Sequence, residues 1–241
     1  MNITKFLIYA IPFFIIAIIH IYACNTDKDR LQHKTKIFLM PLLILTVILY
    51  TIFKLHSFTL EIFLLIDALF FGWIGDIFLL EKNLSQKKFK KGLVCFLSGH
   101  ILYIIILFRI YDFSYTSYIP TILIFLLYSI VIFFIFSKSS FPKGVIRYLI
   151  IIYAIILCLN SCTSLILIVT YFTKKNSFNL YKNYSYIFKL FTLFGGGLLF
   201  AISDTMLSFI TFNRRFKHAD TLVMTTYTLA QFLLALGITL W

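Results

Sequence analysis

The chain is short of charge: only 13% of its 241 residues are Asp, Glu, Lys or Arg, about half of the roughly 25% usual in a soluble domain. Hydrophobic residues make up 61% and the mean hydropathy is +0.96, which excludes a globule with a charged, watered surface. Cysteine is scarce and carries no framework. Cys24, Cys95, Cys158 and Cys162 show neither disulfide nor metal spacing, and Cys158 and Cys162, one helical turn apart, read as small packing residues. No Walker loop, dinucleotide fingerprint, His-Glu-x-x-His pair or Gly-x-Ser-x-Gly elbow occurs. Nucleotide hydrolysis, zinc proteolysis and serine-esterase chemistry therefore lack their usual parts. His20, His33 and His56 fall near helix ends, where an interfacial imidazole is ordinary, and no metal role is assigned to them.

What fills the chain is apolar sequence in long runs. A bilayer-spanning helix needs about 20 mostly apolar residues, and eight such runs occur, at about 4–23, 37–53, 58–80, 92–108, 118–136, 146–172, 187–211 and 221–240. The expected fold is all-α: one polytopic integral membrane domain over 1–241, an eight-transmembrane-helix bundle. Ile21-Tyr22-Ala23-Cys24 faintly resembles a lipoprotein cleavage site, but the apolar core is too long and Tyr22 is wrong for that site, so an uncleaved first helix is expected. The first two spans, with Pro12 and Pro41 near ends or kinks, read as scaffold.

The net charge of +13 does not point to nucleic acid, because the cations fall in short loops between spans. The loops after spans 1, 3, 5 and 7 hold four (Lys28, Arg30, Lys34, Lys36), five (Lys82, Lys87, Lys88, Lys90, Lys91), three (Lys138, Lys143, Arg147) and three (Arg214, Arg215, Lys217) of the 22 basic residues, leaving seven on the opposite face. The positive-inside rule then puts these loops in the cytoplasm and both termini outside, most simply in the cell (inner) membrane. The segment 174–186 reads as a polar connector.

Against this background the intramembrane acids stand out, since an ionisable group in lipid costs several kcal/mol and usually faces a polar cavity. Asp76 follows Gly72 and Gly75 in span 3, and Asp204 follows Ser203 in span 7, each with Leu three positions later. The two acids are expected to share one cavity in the cytoplasmic half. Asp67 lies nine residues before Asp76, half a turn out of phase at about 100° per residue, and so faces elsewhere. Span 4 sets Phe89, Gly92, Leu93, Phe96, Gly99, His100 and Tyr103 mostly along one helical face, and span 8 pairs Tyr227 with Gln231 one turn on. Asn160, Ser161, Thr163 and Ser164 read first as interhelical packing groups. Superposing Asp76 on Asp204 also superposes Gly75 on Ser203, Leu79 on Leu207 and Tyr103 on Gln231. A 4+4 parallel internal repeat is compatible with this alignment.

Two carboxylates in a low-dielectric pocket divide into a protonated general acid and an ionised partner. This is the glycosidase logic, and it suits acetal or enol ether cleavage through an oxocarbenium ion. Gly75-Asp76 with Leu79, the Phe89-x-x-Gly92-Leu93-x-x-Phe96-x-x-Gly99-His100-x-x-Tyr103 run, Phe200-x-x-Ser203-Asp204-x-x-Leu207 and Tyr227-x-Leu229-Ala230-Gln231 together resemble the YhhN-like lysoplasmalogenase family of membrane hydrolases. The resemblance covers spans 3, 4, 7 and 8. It implies cleavage of the vinyl ether bond of a lysoplasmalogen to a fatty aldehyde and a glycerophospho-ethanolamine or -choline. By that analogy Asp76 and Asp204 are catalytic, with His100, Tyr103, Ser203, Tyr227, Gln231, Gly72, Gly75 and Phe200 around the substrate.

The implied partners are a lysophospholipid substrate and membrane lipids, with no cofactor; the oligomeric state and the identity of the protonated Asp stay open. Basic residues such as Lys91 or Arg214 are expected to steer the phosphate. The competing reading is a proton- or cation-coupled transporter of a small or amphiphilic substrate, which also uses paired intramembrane acids.

Overall fold

The computed structural model describes residues 3–80, 85–111, 118–138, 144–173, 184–212 and 214–241, and all regular structure among them is helical. Most of the 174–186 connector and parts of the basic loops, including Lys82 and Lys143, lie outside the described residues. The helices are α1 (Ile3–Tyr9), α2 (Ile11–Asn25), α3 (Asp29–Tyr50), α4 (Leu60–Phe78), α5 (Gln86–Ile110), α6 (Tyr118–Lys138), α7 (Val145–Thr173), α8 (Tyr184–Phe212) and α9 (Ala219–Thr239). Each apolar run maps onto one helix except the first, which is split into α1 and α2 and bent by 59°. Pro12 sits in the first turn of α2, where its missing N–H costs nothing but its ring blocks continuation from the preceding turn. Pro41, by contrast, lies within an unbroken α3.

Five helices are long and apolar enough to cross a membrane, α3 (with the π-turn Thr51–Leu55), α5, α7, α8 and α9, and the bent α1–α2 pair makes a sixth. The protein is a multi-pass integral membrane protein. The shorter α4 carries Glu61, Asp67 and Asp76, so composition alone does not mark it as a span.

Packing follows chain order around a ring: α2 on α3, α3 on α4, α4 on α5, α5 on α7, α7 on α8, α8 on α9, and α9 back on α2, with α6 lying against α7. The two tightest pairs are α4–α5 and α8–α9, and small residues explain both. A Cβ on Gly75 would come within 2.7 Å of the Phe96 ring, and one on Gly196 would stand 3.1 Å from the Ala230 carbonyl. In lipid, where apolar contact gives no net solvent gain, such close approach supplies the dispersion energy that joins helices. Phe6, Phe13 and Phe14 of α1 and α2 gather around Phe232 of α9 with ring centroids 4.7–6.1 Å apart. The outward faces carry Ile15, Ile18, Phe63, Phe70, Ile119 and Leu123, as a lipid-facing surface requires.

Candidate active site

The C-terminal ends of α2, α4 and α8 and the N-terminal ends of α3, α5 and α9 meet at the basic end of the bundle. Between them lies a cavity of about 360 Å³, walled by His20, Gln32, Lys36, Asp76, Ser203, Asp204, Arg215, Asp220 and Tyr227 among others. Both acids singled out in the sequence line it.

Asp76, on α4, is 3% exposed. Its Oδ2 accepts a hydrogen bond from the Tyr227 hydroxyl at 2.8 Å, and its Oδ1 lies 3.4 Å from the Lys36 ammonium. Local structure delivers that cation. α3 begins at Asp29, eight residues before the expected span, so Lys36 is a helical residue rather than a loop charge. The Trp73 indole N–H donates to the Ile37 carbonyl at 2.8 Å, fixing α3 against α4 beside the pair. A buried carboxylate needs such partners, because an isolated charge in low dielectric is expelled or neutralised.

Behind Tyr227 the polar chain continues. The Gln231 amide N–H donates weakly to the Tyr227 hydroxyl at 3.5 Å, and the Tyr103 hydroxyl donates to Gln231 Oε1 at 2.6 Å. Tyr103 and Gln231 are buried and stand behind the cavity wall, not in it. Gly72 makes room for the chain: a Cβ there would lie 3.1 Å from Gln231 Nε2 and 3.5 Å from Tyr227 Oη. Gly75 admits Phe96, which meets Tyr227 edge-on at 6.1 Å.

Asp204, on α8, is half-buried, and its Oδ2 accepts a hydrogen bond from the Tyr153 hydroxyl of α7. The neighbouring Ser203 donates to the Val223 carbonyl at 3.2 Å and tethers α8 to α9. Asp204 also lines a smaller apolar branch of about 50 Å³ with Leu93, Phe96, Ile150, Leu207 and Phe212. The two spaces share Leu79, Phe89, Phe96, Asp204 and Leu207.

Not every expected residue reaches the cavity. His100 is 1% exposed and is enclosed edge-on by Phe200 at 4.3 Å and Tyr153 at 5.7 Å, while Asn160 Nδ2 donates to its Nδ1 at 3.3 Å. It supports the wall from behind, as does Phe200, which packs on Tyr227 at 5.4 Å. Asn160 thus braces that histidine. Asp67 is exposed on the outer face of α4, opposite the cavity, as its half-turn offset requires. Lys91 lies over the Phe78 ring at 5.4 Å and Arg214 is exposed, whereas Lys36 and Arg215 are the cations in the cavity wall.

Sequence reasoning missed Lys36, Tyr153 and His20. Lys36 was hidden by its neighbours, since a basic residue at a span end reads first as a topology signal. Tyr153 is one of 15 tyrosines, and nothing local distinguishes it. His20 is buried instead of interfacial: its Nδ1 shares a 2.8 Å hydrogen bond with Thr35 Oγ1, and its Nε2 lies 3.6 Å from Cys24 Sγ. The i, i+4 spacing of His20 and Cys24 was the available signal. Among the described residues no group of three His, Cys, Asp or Glu side chains is placed to hold a metal ion.

Apolar helices around a polar cavity that Asp76 and Asp204 both line, with an apolar branch beside Asp204, define a polytopic membrane protein with a candidate two-acid site. The YhhN family model matches residues 31–238, and the chain belongs to that family. No curated protein and no solved structure matches it.

Proposed function

We propose that this protein is a lysoplasmalogenase: a membrane-embedded hydrolase that cleaves the vinyl ether bond of a lysoplasmalogen to a fatty aldehyde and a glycerophospho-ethanolamine or -choline. The observation that carries the reading is the pair Asp76 and Asp204 in one cavity, from helices far apart in sequence, with an apolar branch opening beside Asp204. Membership of the YhhN family supports it.

The chemistry follows from the layout. The first carbons of the alkenyl chain enter the apolar branch, which sets the β-carbon of the enol ether against Asp204. Tyr153 holds one oxygen of that carboxyl, and the other delivers a proton to the β-carbon. The resulting oxocarbenium ion is stabilised by the Asp76 carboxylate, oriented by Tyr227 and Lys36. Water adds to the cation and gives a proton back to Asp204, and the neutral hemiacetal collapses to aldehyde and alcohol. No cofactor enters any of these steps.

Eight crossings are proposed, with α1–α2 as one and α4 and α6 included, both termini outside and the basic end in the cytoplasm of the cell membrane. The pairing of α4 with α5 and of α8 with α9, each with an acid on the first helix, supports the 4+4 repeat. The cavity opens at the basic end, while Tyr103, Gln231, His100 and Phe200 close it from behind.

The test is aldehyde release by the purified protein from an alkenyl lysophospholipid, beside its acyl counterpart. Asp76→Asn and Asp204→Asn should each lower kcat by at least about 10²; Asn keeps the shape of Asp and an acceptor oxygen for Tyr227 or Tyr153, so each variant should still fold. Asp67→Asn should do far less. Near-normal turnover by either cavity variant would defeat the two-acid mechanism, and no aldehyde release by the natural chain would return the transporter reading to first place.

A further inference from the structure

At the mouth of the cavity Arg215 and Asp220 form a bifurcated ion pair. One guanidinium nitrogen, Nη2, stands 3.0 Å from Asp220 Oδ1 and 3.2 Å from Oδ2, and both residues line the same space as the two acids. Asp220 lies in the first turn of α9, and Arg215 precedes that helix in the basic turn. The pair is partly solvated, with side-chain exposures of 57% and 28%, so water already competes for each partner and separation costs little. The other cation on this wall, Lys36, is committed to Asp76 deeper in.

Depth sets what the pair can meet. Asp220 precedes Tyr227 by seven residues on α9, and seven residues at about 1.5 Å rise place the mouth on the order of 10 Å from the level of the Asp76–Tyr227 bond. In a glycerophosphoethanolamine lipid, the sn-1 ether oxygen is separated from the amine nitrogen by nine bonds through the glycerol and the phosphate. At about 1.5 Å per bond along a zigzag, that span is also on the order of 10 Å. A lipid whose ether oxygen lies at the acids therefore presents its ammonium at the height of Asp220, while its phosphorus, five bonds from that oxygen and so about 6 Å along, lies between the acids and the pair, in the space that Arg215 lines.

We infer that Arg215 and Asp220 are a headgroup subsite for a zwitterionic phospholipid, trading their mutual ion pair for the lipid phosphate on Arg215 and the lipid ammonium on Asp220. The exchange conserves charge pairing. A guanidinium nitrogen that donates to carboxylate oxygens can donate to phosphate oxygens instead, and the released carboxylate is matched by the incoming cation. An anionic head without an amine takes the arginine and leaves Asp220 an unpaired charge, so this geometry discriminates by repulsion as well as attraction. A primary ammonium can also donate hydrogen bonds to Asp220, which a trimethylammonium cannot, so ethanolamine is held more tightly than choline. The inference rests on the proposed substrate class but not on the bond-breaking step.

The experiment is equilibrium binding of two lipids that lack the vinyl group and cannot be cleaved, 1-O-alkyl-glycerophosphoethanolamine and 1-O-alkyl-glycerophosphate, to the detergent-purified full chain. The natural chain should prefer the ethanolamine lipid. Asp220→Asn should weaken that lipid about fivefold, as expected for a partly solvated pair, and leave the phosphate lipid unchanged or tighter, so the preference collapses. Asp220→Glu should keep it. Arg215→Gln should weaken both lipids. Retained phosphate-lipid binding by Asp220→Asn confirms that this variant is folded. An unchanged preference in Asp220→Asn, or no binding of either lipid to the natural chain, overturns the inference. If the preference shifts as stated while no aldehyde is released from the alkenyl lipid, the hydrolase reading fails and the subsite stands.

Discussion

Removing the cation beside Asp76, as in Lys36→Met, should destabilise the protein by about 2–3 kcal/mol. Stripping one partner from a fully buried ion pair costs about 3–5 kcal/mol, because a charge is left without compensation. Here the separation is 3.4 Å and the Asp76 side chain is only 4% exposed, while Lys36 keeps 16% exposure toward the cavity. Cavity water therefore offsets part of the loss, which lowers the figure from that range. At about 2–4 °C per kcal/mol for a chain of this size, the melting temperature in detergent should fall by about 5–10 °C. The double variant Lys36→Met/Asp76→Asn separates charge from packing. An amide at 76 still accepts from Tyr227 and needs no cation, so the pair of changes should be milder than Lys36→Met alone, with a coupling of at least about 1 kcal/mol. Thermal unfolding of the four proteins in one detergent measures the cycle. A Lys36→Met melting point within about 2 °C of the natural chain, with additive behaviour in the double variant, would refute the claim that Lys36 neutralises Asp76.

Two further outcomes follow from the same geometry. Gly75→Ala puts a Cβ 2.7–2.9 Å from three atoms of the Phe96 ring, which must tilt against Tyr227, so stability should fall by about 1–3 kcal/mol; a melting curve like that of the natural chain would show that α4 and α5 can slide apart freely. A cysteine introduced at Lys87 should react with a membrane-impermeant thiol reagent only after cells are permeabilised, and labelling of intact cells would reverse the proposed orientation.

Amphipathic logic in a membrane chain is local, and so were the parts the sequence determined by itself. The apolar runs identify the helices because in lipid every backbone N–H and C=O must be satisfied within its own segment. Asp76 and Asp204 were legible because an acid in such a run is costly wherever the helix packs. Helical phase alone put Asp67 on the opposite side from Asp76, and the 3.6-residue period put Tyr227 and Gln231 on one face.

Tertiary structure decided everything that depends on which helix meets which. No spacing relates Tyr153 to Asp204, fifty-one residues on, or Tyr103 to Gln231 across 128 residues; those bonds exist because α7 lies on α8 and α5 stands near α9. His100 has the same signature as a cavity histidine, yet the rotation of α5 turns it into the aromatic wall behind Tyr153 and Phe200. Lys36 is the sharpest case. In the sequence it is one more positive charge at a membrane boundary, and only the early start of α3 and the Trp73 tether to Ile37 make it the counter-ion of Asp76. A charge's cost is written in its own segment, but its compensation comes from whichever segment folds against it.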